Sequence, residues 1–173
     1  MSLAGDAVSW ESKGTLILRR PTSQVKAQGD PGNMPKVAEI MSKNIVTIEG
    51  GATVLFAARL MEEKNVGGLP VADAGNPVGM LTERDLVRRV LARGLDPNKV
   101  TVNEVMSSPL VSIPPDAFVE DASDLMVRHK VRRLAVIESG RLVGIVTGTD
   151  LARFVSDQGR FLGALTRAYY ERL

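Results

Sequence analysis

Two stretches of the 173-residue chain repeat one spacing of chemically capable groups, Gly79-x-x-Thr82-x-x-Asp85 and Gly144-x-x-Thr147-x-x-Asp150. Each falls where an apolar, β-branched run hands over to a helical pattern. Thr-x-x-Asp is close to a capping box, in which the threonine caps the helix and an acid three residues on reaches back. The same placement suits an anionic ligand that carries a diol. A helix N-terminus favours phosphate, and a threonine hydroxyl there can donate to a phosphate oxygen. An aspartate one turn on can accept from both hydroxyls of a ribose, as an acid does in dinucleotide folds. The glycine is expected to let a ligand approach the strand backbone. Capping and binding are compatible, and repetition at matched positions favours binding.

The other charged groups are fewer than they first look. Residues Arg128-His129-Lys130-Val131-Arg132-Arg133 form a basic run, whereas the matched positions near the first motif read Asn65-Val66-Gly67-Gly68. Arginines beside a helix start favour phosphate through charge-assisted, often bidentate contacts; the plainer reading is a solvated basic face. The formal net charge is only +2, so the chain as a whole gives little reason to expect nucleic acid as a partner. With one histidine, no cysteine, no Walker loop, no Gly-x-Ser-x-Gly and no metal-ligand cluster, neither catalysis nor a metal site is expected. His129 reads as a surface residue.

The elements that must hold these motifs come in two copies. Sliding the chain by 65 positions aligns Val37–Arg88 with Val102–Arg153 without a gap, and 21 of the 52 aligned positions are identical. In each copy a short strand (Ile45–Ile48; Leu110–Ile113) precedes a helix. The helices carry one apolar face, Val54, Ala57, Leu60 and Met61 in the first copy and Val119, Ala122, Leu125 and Met126 in the second. Asp116 is the expected N-cap of the second. Two strands follow (Leu69–Ala72 and Val78–Leu81; Leu134–Ile137 and Leu142–Val146), joined by short turns with glycine where positive φ is needed. A last helix starts at Thr82 or Thr147. The fold class is therefore α+β, two tandem βαββα repeats. Each is too small to be comfortable alone, so packing about a pseudo-twofold axis is expected. Hydrophobic residues at 44% and charged residues at 24% are ordinary for such a globular chain.

In these residues the chain resembles a tandem pair of CBS domains (a Bateman module), the family named after cystathionine β-synthase. The segments that carry the likeness are VAEIM…IVTI with LPVAD-G-PVGMLTERDL, and VNEVM…LVSI with LAVI-SG-LVGIVTGTDL. The resemblance implies a regulatory sensor of adenosyl compounds, AMP, ADP or ATP, with S-adenosylmethionine or NAD in some members, and no required cofactor. It also implies two clefts between the repeats. One would use Thr147 and Asp150 with Lys43, Ile45, Val46, Val66 and Gly67; the other would use Thr82 and Asp85 with Leu110, Val111, Val131, Arg132 and Arg133. On this assignment the arginines predict that the cleft of Thr82 and Asp85 takes the more phosphorylated ligand. A homodimer and an effector protein acting in trans are the implied partners. The competing readings are a ligand-free dimerisation scaffold and a nucleic-acid-binding protein that uses the Arg128–Arg133 cluster.

The expected organisation is an N-terminal extension over 1–36, partly flexible; a first repeat over 37–94; a second over 95–155; and a C-terminal amphipathic helix over 156–173. Residues Gly14–Arg20 suit a strand added at a sheet edge, and Pro21–Pro35 a linker. Phe161, Leu162, Leu165, Ala168 and Tyr169 recur at helical spacing. No apolar run approaches the ~20 residues that span a bilayer, and the first residues lack a signal-peptide pattern, so a cytoplasmic protein is expected.

Overall fold

The duplication is visible in backbone conformation before it is visible in packing. The structure, a computed structural model, describes residues 8–11, 15–18 and 35–158. Asn65 and Lys130, each ending a helix, are both left-handed, with φ of 51° and 55°. Both hairpins turn through two residues of positive φ, Ala74 (47°) and Gly75 (80°) in one, Ser139 (49°) and Gly140 (77°) in the other. That is the type I′ conformation whose twist matches paired strands. Both hairpins also slip register at the same place, between Val71 and Ala72 and between Val136 and Ile137.

The elements run β1 (Val8–Glu11), β2 (Thr15–Leu18), α1 (Val37–Ile40), β3 (Ile48–Glu49), α2 (Val54–Lys64), β4 (Gly68–Asp73), β5 (Asn76–Thr82) and α3 (Glu83–Asp85). After α3 the same helical path widens to π geometry over Leu86–Val90 and tightens to a 3-10 turn over Leu91–Arg93, where Gly94 stops it at φ 64°. There follow α4 (Val102–Val105), β6 (Leu110–Ile113), α5 (Val119–His129), β7 (Arg133–Glu138), β8 (Arg141–Thr147) and α6 (Gly148–Gln158).

Two compact units result, and their boundaries differ from those of the repeats. The first contains β1, β2 and Ile45–Ser112; the second contains residues 35–44 and 113–158. Each repeat's opening segment has thus joined the other repeat's unit. In the first unit α4 is anchored by Val102 N–H to Ala52 O (2.9 Å) and Asn103 N–H to Gly50 O (2.9 Å). In the second, α1 is anchored by Val37 N–H to Ala117 O (2.8 Å) and Ala38 N–H to Pro115 O (2.9 Å). The short helices α1 and α4 are absent from the βαββα reading. Their signal was the acid three residues after the cap. Glu39 accepts from Lys36 N–H at 2.8 Å, and Glu104 accepts from Thr101 N–H at 2.6 Å and Thr101 Oγ1–H at 2.7 Å. The Thr101 hydroxyl, then its amide, holds the Glu104 carboxyl below the ordinary glutamate range.

In the first unit, β3 lies parallel to β4, and β4 pairs antiparallel with β5. Separately, β1 and β2 pair antiparallel, and β2 runs parallel to β6 through Thr15↔Leu110, Leu16↔Val111 and Ile17↔Ser112. Strand structure at residues 15–18 therefore meets the expectation for the N-terminal arm. It also explains why β6 is a full strand while Ile45–Thr47, its counterpart, is not. Among the described residues that stretch has no pairing strand, and β3 shrinks to Ile48–Glu49. In the second unit β7 and β8 form the antiparallel pair.

Burial follows the expected helix faces. Val54, Ala57 and Met61 of α2 are buried with Ile48, Leu69, Val71, Leu81, Val90, Val102 and Val105, and Leu60 packs partly against them. Val119, Ala122, Leu125 and Met126 of α5 are buried in the second unit, as are Leu134, Val136, Val146 and Leu151. A fully buried side chain of this size is worth about 1.5–3 kcal/mol. Asp116 does not cap α5, as had been expected. The turn closed by Ala117 N–H to Pro114 O (3.2 Å) delays the helix, so Phe118 is the cap residue and Asp121 reaches back to its N–H at 3.0 Å. In α2 the cap is Thr53, which accepts from Phe56 N–H at 3.2 Å. The expected C-terminal helix beyond residue 158 and all of the Pro21–Pro35 linker except Pro35 lie outside the described residues.

Candidate functional site

Both Thr–Asp boxes are built, with nearly identical geometry. In the first unit Asp85 Oδ2 accepts from Thr82 N–H (2.9 Å) and Thr82 Oγ1–H (2.5 Å), while Asp85 N–H donates to Thr82 Oγ1 at 3.3 Å. In the second unit the corresponding distances for Thr147 and Asp150 are 2.9, 2.6 and 3.3 Å. The capping role is therefore realised in full. It also engages groups that the sequence reading offered to a ligand. The threonine proton points to the aspartate, and two of the first three helix amides are occupied. Glu83 N–H donates to Gly67 O at 3.4 Å, and Gly148 N–H donates to Arg132 O at 3.0 Å.

The glycines serve a purpose other than ligand approach. A Cβ at Gly79 would stand 2.6 Å from Met106 Sδ and 3.0 Å from Ser107 O. One at Gly144 would meet the Met41 side chain and stand 3.2 Å from Ser42 O. The close neighbour in each case is the segment just after α4 or α1, bridged to the strand through Met80↔Ser107 or Ser42↔Ile145. Glycine is needed because another part of the chain lies there.

The two boxes differ in their surroundings. Arg89, one turn after Asp85, places Nε 3.4 Å from Asp85 Oδ1. Its Nη1 donates to Val105 O and Met106 O, both at 2.7 Å, and its Nη2 to Ser107 Oγ at 3.2 Å. Asp85 is buried, whereas Asp150 is half-buried. The position equivalent to Arg89 is Phe154, and among the described residues no basic side chain is ion-paired with Asp150. Across the hairpins, Thr82 faces Gly68 and Thr147 faces Arg133. The family likeness implies a place for the arginines with Thr82 and Asp85; within its own hairpin Arg133 shares a face with Thr147, because directly paired residues project to the same side.

Of the remaining expected site residues, Ile45, Val46, Val66, Gly67, Leu110 and Val111 belong to the first unit with Thr82 and Asp85. Lys43, Val131, Arg132 and Arg133 belong to the second with Thr147 and Asp150. Lys43 and Arg132 are exposed, and Leu110 is buried in strand β6. Arg89 was missed by sequence reading. Its signal was its position four residues after Asp85, where a helix brings a cation and an acid together.

The family model for the CBS domain matches this chain twice, at residues 37–92 and 102–157. The chain belongs to the CBS-domain family. It is 44% identical over 119 residues to the CBS domain-containing protein YhcV of Bacillus subtilis, which covers 69% of this chain and 84% of that one. A solved CBS domain pair of the protein MJ0100, in complex with 5′-methylthioadenosine and S-adenosyl-L-methionine, superposes with TM-score 0.66 at 28% identity, over 72% of this chain and 98% of that one. A hexameric CBS-CP12 protein from bloom-forming cyanobacteria superposes with TM-score 0.66 at 37% identity, over 75% of this chain and 74% of that one. CBS-domain pair proteins are regulatory and often bind ligands. Among the described residues there is no group of three or more His, Cys, Asp or Glu able to hold a metal ion, and no helix is long and apolar enough to cross a membrane.

Proposed function

We propose that this CBS-domain pair is a non-catalytic regulatory module that binds an adenine nucleotide (AMP, ADP or ATP), with S-adenosylmethionine or NAD as the alternative adenosyl ligands, and passes the bound state to an effector protein in trans. The box of Thr147 and Asp150 carries this reading, because its half-buried aspartate caps the strand-to-helix junction through Oδ2 alone. In each box Oδ2 of the aspartate is spent on the cap; at Asp150 the other oxygen, which has no ion-paired cation among the described residues, is the acceptor for a ribose hydroxyl. The threonine hydroxyl can turn from the aspartate to a phosphate oxygen when a ligand supplies one. In the second unit Lys43, Arg132 and Arg133 supply positive charge for phosphate and Val131 an apolar contact; in the first, Ile45, Val46, Val66 and Val111 supply apolar contact for adenine beside the backbone of Gly67. The adenosyl ligands of the MJ0100 pair support the ligand class. Signalling follows from linkage: a ligand that favours one arrangement of the chain shifts the population that a partner meets.

A homodimer belongs to the same proposal, supported by large apolar side chains left exposed on the first unit, Phe56 (56%), Val87 (54%) and Leu91 (65%). The test is calorimetric titration with AMP, ADP, ATP, NAD and S-adenosylmethionine, with light scattering on the same sample. Saturable heat with at least one of them and a mass of two chains are expected. Silence from all five ligands would end the sensor reading; a dimer would then leave the scaffold. Binding to nucleic acid that falls steeply with salt and ignores nucleotides would mark the third class instead.

A further inference from the structure

The two boxes share a Thr-x-x-Asp spacing and a geometry, but among the described residues only one of them keeps its second carboxylate oxygen clear of a cation. At Asp85, Oδ2 already accepts from the Thr82 amide and hydroxyl, and Oδ1 faces Arg89 Nε at 3.4 Å. Arg89 is itself fixed by three further bonds, to the carbonyls of Val105 and Met106 and to Ser107 Oγ. A ribose hydroxyl seeking Asp85 Oδ1 must compete with a guanidinium tied to the end of α4. The Asp85 side chain is 12% exposed, so little of it is offered to a ligand. At Asp150 the Oδ2 bonds are the same, but the residue one turn on is Phe154, the carboxylate is half-buried, and Arg133 lies across the ladder from Thr147.

We propose that the two boxes have divided their work: Thr147 and Asp150, with Arg133, form the nucleotide site, while Arg89 closes the box of Thr82 and Asp85, which serves to fasten the α4–β6 connection. This rests on the adenosyl-sensor reading above. It reverses the order of affinity expected when the arginines were placed with Thr82. Arg89 is then the residue that determines stoichiometry: one nucleotide per chain with it, two without it.

The test is calorimetry with AMP, ATP and adenosine on the full chain and on Asp150→Asn, Asp85→Asn, Arg89→Ala and Arg133→Ala, each checked for a cooperative thermal melt. The asparagine variants keep side-chain size and one acceptor oxygen, so the fold survives the change. One equivalent is expected for the wild type. Asp150→Asn should weaken AMP at least tenfold, and Asp85→Asn less than twofold. Arg89→Ala should bring the stoichiometry towards two. Arg133→Ala should weaken ATP about tenfold while leaving adenosine within twofold. Two equivalents in the wild type, or binding lost with Asp85→Asn and kept with Asp150→Asn, would overturn the division of work and leave the sensor reading standing. A wild type silent to every adenosyl ligand would overturn both.

Discussion

Gly79→Ala is the substitution that best separates the packing role of the motif glycine from a ligand role. The added Cβ would stand 2.6 Å from Met106 Sδ, 3.3 Å from Met106 Cγ and 3.0 Å from Ser107 O. The sulfur can move, since methionine is flexible, but the carbonyl cannot move alone. Ser107 O accepts from Met80 N–H at 2.9 Å, and Ser107 N–H donates to Met80 O at 2.9 Å. Relief of the contact must therefore stretch two backbone bonds, each worth about 1 kcal/mol net, in line with the 1–3 kcal/mol typical of overpacking. Against this stands a gain of about 0.4–1 kcal/mol from the stiffer unfolded chain. The net expectation is a loss of about 1–2 kcal/mol. Gly51→Ala is the control: nothing lies within 4 Å of its Cβ, so only the gain from the unfolded chain should remain. Equilibrium urea unfolding of both variants, without ligand, reads the difference directly. Gly144→Ala should behave like Gly79→Ala, because Ser42 O and the Met41 side chain occupy the same space in the second unit. Coincident midpoints for Gly79→Ala and Gly51→Ala would refute the packing argument and return the glycine to the ligand.

Two further outcomes follow from local geometry. Ala74 holds φ 47° in the first hairpin, a conformation that costs alanine more than asparagine; Ala74→Asn should raise stability by about 0.5–1 kcal/mol in the same urea assay, and a loss would show that the turn is not type I′. The Glu104 carboxyl is held below its ordinary range by the Thr101 hydroxyl and amide, so its contribution is present above about pH 4.3 and fades as the pH falls through the lowered folded value. Thermal melts from pH 7 to pH 3 should show the wild type ahead of Glu104→Gln at neutral pH and the gap closing in acid; a gap independent of pH would remove the capping box of α4 as its cause.

The residues that repeat every 65 positions made the fold legible. Identity at Val54, Ala57 and Met61 with their partners at Val119, Ala122 and Met126 reports a helix face that must stay buried, and glycine at 75 and 140 reports a turn that needs positive φ. The exchange of opening segments was not legible. Val37 and Val102 look alike in sequence, and nothing local says that each anchors to the other repeat's unit through Ala117 and Ala52. The partial loss of strand at Ile45–Thr47 was hidden for a related reason, since a strand depends on a neighbour and the arm supplied one only to β6. The pairing of Arg133 with Thr147 was hidden on the same ground. The family likeness suggested which segments gather, but strand pairing decides which threonine a given arginine faces.

Identical and divergent positions in a duplicated chain therefore carry different information. Gly79 and Gly144, Thr82 and Thr147, and Asp85 and Asp150 are identical, and in the structure each pair performs a structural duty that needs no ligand: close approach of a neighbouring segment or a helix cap. Their preservation in both copies would follow from folding alone, so it is weaker support for binding than it first looks. The informative positions are those that broke symmetry around the preserved frame, Gly68 against Arg133 and Arg89 against Phe154. One exchange sets a cation across from the second threonine, and the other sets a cation against the first aspartate. Both changes favour an anionic, diol-bearing ligand in the second unit and disfavour it in the first. Two differences with the same sign are what the proposed division of work requires, with one copy holding the ligand and the other holding the fold.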